Sequence, residues 1–371
     1  MERKNFNYSL KNIPIPSRNN YKKQLIEKVE SVLKRMRWKV FFFEKHDERE
    51  PTDKFGFKSK KCPPQNRDLD KIEDDVLSMI KNVKFRSVNN DNFMNTLKED
   101  TKKINQNPRT LVFADKSRNI YELGKEAYNE ILTNNITKTY KKANVNIERN
   151  INKEAKTISE NFNVDDRMEI MAKRQAFFTL KDHKENVQIN PKCRLINPTK
   201  SEVGIISKRI LEGINNNLRN VLNVNQWRNT AAVIHWFKNI PNKAECTFTV
   251  FDIVDFYPSI SEKLLNDAIE FGRVYMEITE REKPARKSLL FDKDIPWEKK
   301  ESQNMFDVTM GSYDGAEVCE LVGLLILHKL GNLYQANDIG LYRDDGLSVF
   351  NNVNGSQAER IKKNIRPHKI N

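Results

Sequence analysis

The sequence predicts an α+β fold: an antiparallel sheet with helices on one face, preceded by a mainly helical N-terminal region. Three observations carry that reading. Apolar residues recur at helical spacing through most of residues 1–165. A strand–turn–strand pattern begins at Gln175, and a second, Gly340–Phe350, follows the β-branched and aromatic run Thr247–Ile253. Charge divides the same way: of the net +14 on 371 residues, positions 1–240 carry +18, 241–350 carry −8 and 351–371 carry +4.

The elements follow in order. Asn20–Arg37 has the spacing of an amphipathic helix on Leu25, Ile26, Val29, Val32 and Leu33, and Val40–Phe43 reads as a short strand. Glu44–Arg67, polar and holding Pro51, Pro63 and Pro64, reads as a loop. Helices are expected at Asp68–Asn82 and Asp91–Ile104, then a hairpin over Thr110–Leu123 with Lys116 and Arg118 at its tip. Two more helices are expected at Lys125–Lys142 and Asn146–Asn161. The strand pair after Gln175 carries Lys181, Lys184, Lys192 and Arg194, and Ile205–Leu222 reads as helix.

Composition bounds the function. Length allows two or three packed domains, and 38% hydrophobic with 31% charged residues is the balance of a folded, polar protein. The longest apolar run, Leu321–Leu327, is about a third of a membrane span. Met1-Glu-Arg-Lys-Asn has no apolar core, so no secretory signal is expected. Cys62, Cys193, Cys246 and Cys319 lie far apart with no C-x-x-C pair, which fits a reducing compartment, cytoplasm or nucleus. Clustered cations neutralise a phosphate backbone, though a solvated Lys/Asn-rich surface reads the same way; clustered carboxylates are where divalent metals bind.

The carboxylates are the sharper signal. Thr247–Ile253 is expected to be a strand buried on both sides, with Asp252 inside it. A carboxylate there costs several kcal/mol unless paired or bound to a cation. Asp255 follows, Pro258 ends the strand, and Ser259 or Ser261 caps a helix on Ile260, Leu264, Leu265, Ala268 and Ile269. In GLYRDDGLSVF, Asp345-Gly346 reads as the tight turn of a hairpin. With that hairpin beside the first strand, Asp252 and Asp344 could share two divalent cations about 3.5–4 Å apart, the arrangement phosphoryl transfer uses. A lone Asp-Asp-Gly is ordinarily an exposed turn; two such clusters over apolar strands favour a site. Between them, Met310-Gly311 opens a loop and Ala316–Leu330 is apolar nearly all round, as in a buried helix.

These residues carry a family resemblance. Phe251–Ile260 (FDIVDFYPSI), the Gly311 loop with its helix, and Leu341–Leu347 (LYRDDGL) resemble motifs A, B and C of reverse transcriptases, in that order. Tyr342-Arg343-Asp344-Asp345 matches the Tyr-x-Asp-Asp box. The resemblance covers about Gln175 to Phe350 and implies a right-hand polymerase: a helical N-terminal region over 1–165, fingers over 166–240, and a palm over 241–371. It implies that Asp252 and Asp344 bind two Mg²⁺ (or Mn²⁺) ions with the Ile253 carbonyl, and that Asp345 is the second acid of the box. Tyr257 falls on the sugar gate that rejects ribonucleotides, Arg194 and Lys181 on the triphosphate contacts, and Gly311 on the border of the nucleotide pocket. The implied partners are an RNA or DNA template–primer duplex and dNTPs, with no membrane, and the implied reaction is RNA-directed DNA synthesis for a retroelement.

The sequence departs from the family in three places. Motif B opens with Thr309-Met310-Gly311 in place of Pro-Gln-Gly. Arg273–Gln303 reads as an inserted charged loop. About 26 residues follow Asp345, too few for a thumb, so a fragment, a decayed copy or a borrowed thumb is expected. Two alternatives stand beside this reading. Asp252…Tyr257-Pro258-Ser259-Ile260 also resembles motif A of family-B DNA polymerases, although their Asp-Thr-Asp motif is missing; a catalytically silent nucleic-acid binder is the other.

Overall fold

The computed structural model describes residues 2–4, 21–44, 62–84, 91–117, 119–165, 173–184, 191–199, 203–283, 289–300, 306–333, 338–351 and 353–358. They fall into two units, Met1–Asn135 with Phe162–Met168 and Phe178–Leu195, and Ile136–Asn161 with Glu169–Phe177 and Ile196–Asn371. The first contains β1 (Glu2–Lys4), α1 (Tyr21–Glu44), α2 (Arg67–Asn82), α3 (Asp91–Asn105), β2 (Thr110–Phe113), β3 (Ile120–Leu123) and most of α4 (Lys125–Thr139). The chain enters the second with β4 (Tyr140–Lys142) and α5 (Val145–Asn161), then returns to the first for the paired strands β5 (Phe177–Leu180) and β6 (Cys193–Ile196). The remainder of the second unit is α6 (Val203–Leu222), β7 (Asn225–Gln226), α7 (Thr230–Asn239), β8 (Cys246–Asp252), α8 (Phe256–Ser259), α9 (Glu262–Arg273), β9 (Leu290–Asp292), β10 (Ile295–Lys299), α10 (Gly315–Leu333), β11 (Asp338–Tyr342) and β12 (Asp345–Asn351).

In the first unit the expected strand Val40–Phe43 is instead the end of α1. Helical spacing lets Trp38 stack on Phe42 at 5.6 Å and meet Phe41 edge-on at 5.7 Å, contacts an extended chain would break. Arg37 reaches Asp70 (2.6 Å) and Glu73 on α2, and Lys22 Nζ donates to the Lys81 carbonyl, so α1 and α2 run antiparallel. Asn66 caps α2 by accepting the Leu69 N–H at 3.1 Å, with Asp68 and Asp70 in the first turn completing the start signal. Positions 45–61 of the expected loop, and Arg118 of the expected hairpin tip, lie outside the described residues. The hairpin itself forms, with Leu111 opposite Glu122, and β1 adds to its other edge.

The second unit is built on a four-stranded sheet in the order β7-β11-β12-β8, antiparallel except for the β7–β11 pair. Neighbouring residues of β12 serve opposite faces. Phe350 joins a core with Leu211 and Leu218 of α6, Leu265 and Ile269 of α9, and Leu321, Val322 and Leu324 of α10. Val349 packs with Trp227, Trp236 and Ile240. Helices were expected on one face alone; α7 also covers part of the other, because Trp236 supplies an apolar anchor there. Full burial of each large aliphatic side chain along α10 contributes about 1.5–3 kcal/mol, which makes that helix the centre of the unit.

Three further expectations change. Strand β8 pairs with β12 alone among the described residues, so it is an edge strand, with Val250 65% exposed and Asp252 at the surface rather than buried on both sides. The helix expected over Lys125–Lys142 stops at Thr139, because Tyr140–Lys142 pair antiparallel with Trp297–Lys299. The expected loop Arg273–Gln303 holds the β9–β10 hairpin, whose turn residues Lys293 and Asp294 have φ of 48° and 64°, as a tight two-residue hairpin turn requires. Of the two candidate caps for α9, Ser261 is the one used: its Oγ accepts the Leu264 N–H at 3.1 Å.

Candidate functional site

The far end of the β8–β12 ladder gathers the carboxylates. Asp252 lies directly opposite Asp345, and the Ile253 N–H donates to the Asp344 carbonyl at 2.9 Å. That bond pattern makes Asp252 and Asp345 a closely spaced, non-hydrogen-bonded pair, with α-carbons about 4.5 Å apart. The hairpin turn is Arg343-Asp344, with Arg343 at φ 56°, and not the expected Asp345-Gly346, which is already the start of β12. Gly346 has a different reason to be glycine. Phe251, its cross-strand partner, lays its ring over the Gly346 α-carbon, where a side chain would collide with it. Asp252, Asp344 and Asp345 are all exposed.

Tyr257 joins this group from α8. The turn before the helix puts Asp255 at φ 50°, and Phe256 and Ile260 anchor it in the core while Tyr257 stays half-buried. Burial, with help from Cys319 and the Asp344 carboxylate and against Arg343, pushes the Tyr257 hydroxyl up to about 12. The phenol therefore stands within electrostatic reach of the Asp344 turn and shares a hydrogen bond with the Cys319 thiol of α10.

Gly311 sits at φ 111° in the loop leading to α10, and a side chain there would drive into the Asn197 carbonyl. Asn197 is held at 2% exposure: its N–H donates to the Met310 carbonyl, its Nδ2 to the Leu289 carbonyl, and its Oδ1 accepts the Thr199 N–H. Further along the loop, buried Asp314 accepts from Ser207 Oγ at 2.7 Å, and the Gly315 α-carbon faces the Tyr257 ring. The loop and Tyr257 are thus parts of one packed arrangement.

Lys181 and Arg194 belong to the first unit. The Lys181 N–H donates to the Lys192 carbonyl across the β5–β6 hairpin, and Arg194 Nη1 pairs with Asp115 Oδ1 at 2.9 Å. Asp115 is well buried and its N–H donates to the Leu180 carbonyl. Beside it, Asp182 accepts from Ser117, Asn119 and Tyr121, bonds that outweigh its burial and hold the carboxyl below its usual range. Nothing in the local sequence pattern links Asp115 to Arg194, 79 positions on, or marks Asn197 and Cys319 as parts of this arrangement. The structure brings Asp252, Ile253, Tyr257, Asp344 and Asp345 to one sheet end, with Gly311 in a loop packed on Tyr257 through Gly315.

The donors at this sheet end are hard oxygens. Among the described residues no group of three or more His, Cys, Asp or Glu side chains is arranged to hold a metal. Two opposed carboxylates nonetheless fit Mg²⁺, which is commonly held by one or two carboxylates plus substrate phosphates and water rather than by a protein cage.

No protein-family model matches the sequence, and no curated protein matches it. Solved telomerase structures are similar to it at low identity. Telomerase from Candida albicans, in complex with a TWJ fragment of telomeric RNA, is 10% identical with a TM-score of 0.43, over 95% of this chain and 69% of that one. Apo telomerase from Candida tropicalis is 11% identical with a TM-score of 0.44, over 98% of this chain and 73% of that one. The same telomerase truncated from its C-terminal domain is 11% identical with a TM-score of 0.47, over 93% and 82%. No described helix is long and apolar enough to cross a membrane.

Proposed function

We propose that the end of the β8–β12 ladder is the nucleotidyl-transfer site of an RNA-directed DNA polymerase, with the second unit serving as palm. The observation that carries this reading is the register: Asp252 and the Asp344-Asp345 turn, remote in sequence, meet at one sheet end with Asp252 opposite Asp345. A merely solvated turn has no need to place like charges face to face, an arrangement that is destabilising by itself.

In this reading Asp252, Asp344 and Asp345 hold divalent cations, Mg²⁺ or Mn²⁺, with the Ile253 carbonyl. When bound, such ions neutralise charge on the attacking and departing oxygens of a phosphoryl transfer. The residues of the chain do the rest. The Ile253–Asp344 backbone bond ties the turn to β8, so the main chain that carries the carboxylates is set before substrate arrives. The Tyr257 ring fills the space a 2′-hydroxyl would need, and dNTPs are accepted over rNTPs. Gly311 lets the backbone before α10 approach the nucleotide closely. Lys181 and Arg194 hold the triphosphate through charge-assisted hydrogen bonds, as the resemblance implies. The basic sequence over 1–240 supplies cations for a template–primer duplex. A mobile-element origin belongs to the same reading as part of what the resemblance implies.

The test is primer extension on matched RNA and DNA templates, with Mg²⁺ and with EDTA. Extension on RNA is expected in Mg²⁺ alone. Asp252→Asn and Asp344→Asn should each lower the rate by more than about a hundredfold while leaving duplex binding nearly unchanged. Wild-type rates in either variant would remove the site assignment; duplex binding with no extension by the wild type would favour the silent binder.

A further inference from the structure

Helix α8 carries Tyr257; Phe256 and Ile260 anchor its side chains in the core, while its main chain is held by a few individual hydrogen bonds. It is four residues long, too short to be stable alone, and Asp255 before it makes no side-chain cap. Its carbonyls are satisfied one by one. The Phe256 carbonyl accepts from Ser259 Oγ at 2.8 Å and the Tyr257 carbonyl from the Ile260 N–H. The Pro258 carbonyl accepts from Lys299 Nζ at 2.7 Å. Lys299 is the last residue of β10, in the stretch that the sequence offered only as an insertion.

The lysine is itself fixed. Its side chain is 14% exposed and its Nζ lies 3.6 Å from Asp307 Oδ1. Asp307 Oδ2 accepts from the Tyr140 hydroxyl at 2.7 Å, and Tyr140 is the residue opposite Lys299 in the β4–β10 ladder. Burial and the Asp307 carboxylate raise the Tyr140 phenol, which stays protonated and keeps donating. Two cross-strand neighbours therefore grip one buried carboxylate. The ammonium, paired with Asp307, gives another donor to the Pro258 carbonyl near the C-terminal end of α8. Lys300 N–H to the Thr139 carbonyl, at 3.0 Å, extends the same ladder by one bond.

We propose that Lys299 is a positioning residue for sugar discrimination: it fixes α8, and through α8 the Tyr257 ring, so the inserted hairpin serves as a brace for the gate. This rests on the reading of Tyr257 as the gate. A displacement of about 1 Å at a positioning element can change a rate ratio by up to about a hundredfold, so loss of the brace should be legible in selectivity.

The measurement is single-nucleotide incorporation by the full chain, comparing kcat/KM for dNTP and rNTP. Lys299→Met is expected to lower the dNTP/rNTP ratio about tenfold, with rNTP use held or raised, and Lys299→Arg to restore it to within about threefold. Because Lys299 acts through Tyr257, adding Lys299→Met to Tyr257→Val should lower the ratio no further than Tyr257→Val does alone. A folded Lys299→Met with the wild-type ratio, beside a Tyr257→Val that loses it, overturns the proposal and leaves the gate standing. An additive double variant also overturns it. A Tyr257→Val with unchanged selectivity sinks the gate reading itself and the proposal with it. Should Lys299→Met fail to fold, Lys299→Gln keeps a donor on a shorter arm and is held to the same ratio.

Discussion

The Phe251 ring covers the α-carbon of Gly346, so that a Cβ at Gly346 would come within 2.1 Å of Phe251 Cε2 and Cζ. Both residues sit one step from the opposed pair Asp252 and Asp345, so the glycine makes room for the ring at the carboxylate end of the ladder. Gly346→Ala is expected to lose about 1–3 kcal/mol by overpacking. The obstacle is a side chain, so Phe251→Leu in the same chain should recover part of that loss. Denaturant melts of the three variants decide it; equal midpoints for Gly346→Ala and wild type would mean the ring moves freely aside.

Gly311 is a harder case. Its φ of 111° strains any other residue, and its Cβ would lie 2.4 Å from the Asn197 carbonyl, a backbone atom that cannot rotate away. Bonds to Met310 and Leu289 and from Thr199 prevent Asn197 from receding. Gly311→Ala should cost about 2 kcal/mol or more, and no truncation of a neighbouring side chain should rescue it. A loss smaller than that of Gly346→Ala would contradict this ordering.

Where local pattern and tertiary environment agree, the sequence was readable. Helices α2, α3, α5 and α6 and the β2–β3 hairpin fall within about two residues of their expected bounds, because periodicity and capping are local. The residues that meet at the sheet end were legible from motif order. What was hidden depends on partners far along the chain. Tyr140 leaves a helical pattern because β10 offers it a ladder, and Val40–Phe43 stays helical because Trp38 is there to stack. Asp252 looked buried because its strand is apolar on both faces, whereas the strand is an edge. The Asp115–Arg194 pair joins residues 79 positions apart, with no local trace in either segment.

That pair makes a prediction of its own. Asp115 is 7% exposed at its side chain and Arg194 35%, so removing the carboxylate strands a partly buried guanidinium. Asp115→Ala should cost about 1.5–3 kcal/mol, as for a hydrogen bond to a charged group, and Asp115→Asn less, since an acceptor remains. The Asp115 N–H bond to Leu180 is main-chain and survives both changes. A cycle with Arg194→Met isolates the coupling; a value near zero would show the pair to be incidental.

Alkaline pH reports on Tyr257. Its hydroxyl titrates near 10 in the unfolded chain and is pushed up to about 12 in the fold, chiefly by burial. Below pH 10 both states hold the proton and stability is unaffected. Between 10 and 12 the unfolded chain loses it first, so stability falls as pH rises through that window. Tyr257→Phe should remove this part of the slope. Midpoints measured from pH 9 to 11.5 in both proteins test it; parallel curves would place the phenol in water.

The opposed carboxylates give a test of the site that needs no turnover. Without divalent cation, Asp252 facing Asp345 costs stability through like-charge repulsion, about 0.2–1 kcal/mol for a cross-strand pair. In EDTA at low salt, Asp252→Asn should therefore melt at or above the wild type. A cation bound by the native carboxylates and not by the unfolded chain stabilises the fold by mass action. Adding Mg²⁺ should thus raise the wild-type midpoint and move that of Asp252→Asn little, so that the order of the two proteins reverses. K⁺ at matched ionic strength separates binding from screening, because screening acts on surface charges without regard to which cation supplies it. If Mg²⁺ shifts both proteins equally, Asp252 is no ligand. If Asp252→Asn is already the less stable protein in EDTA, the repulsion that singled out this sheet end is absent, and the case for a cation there falls with it.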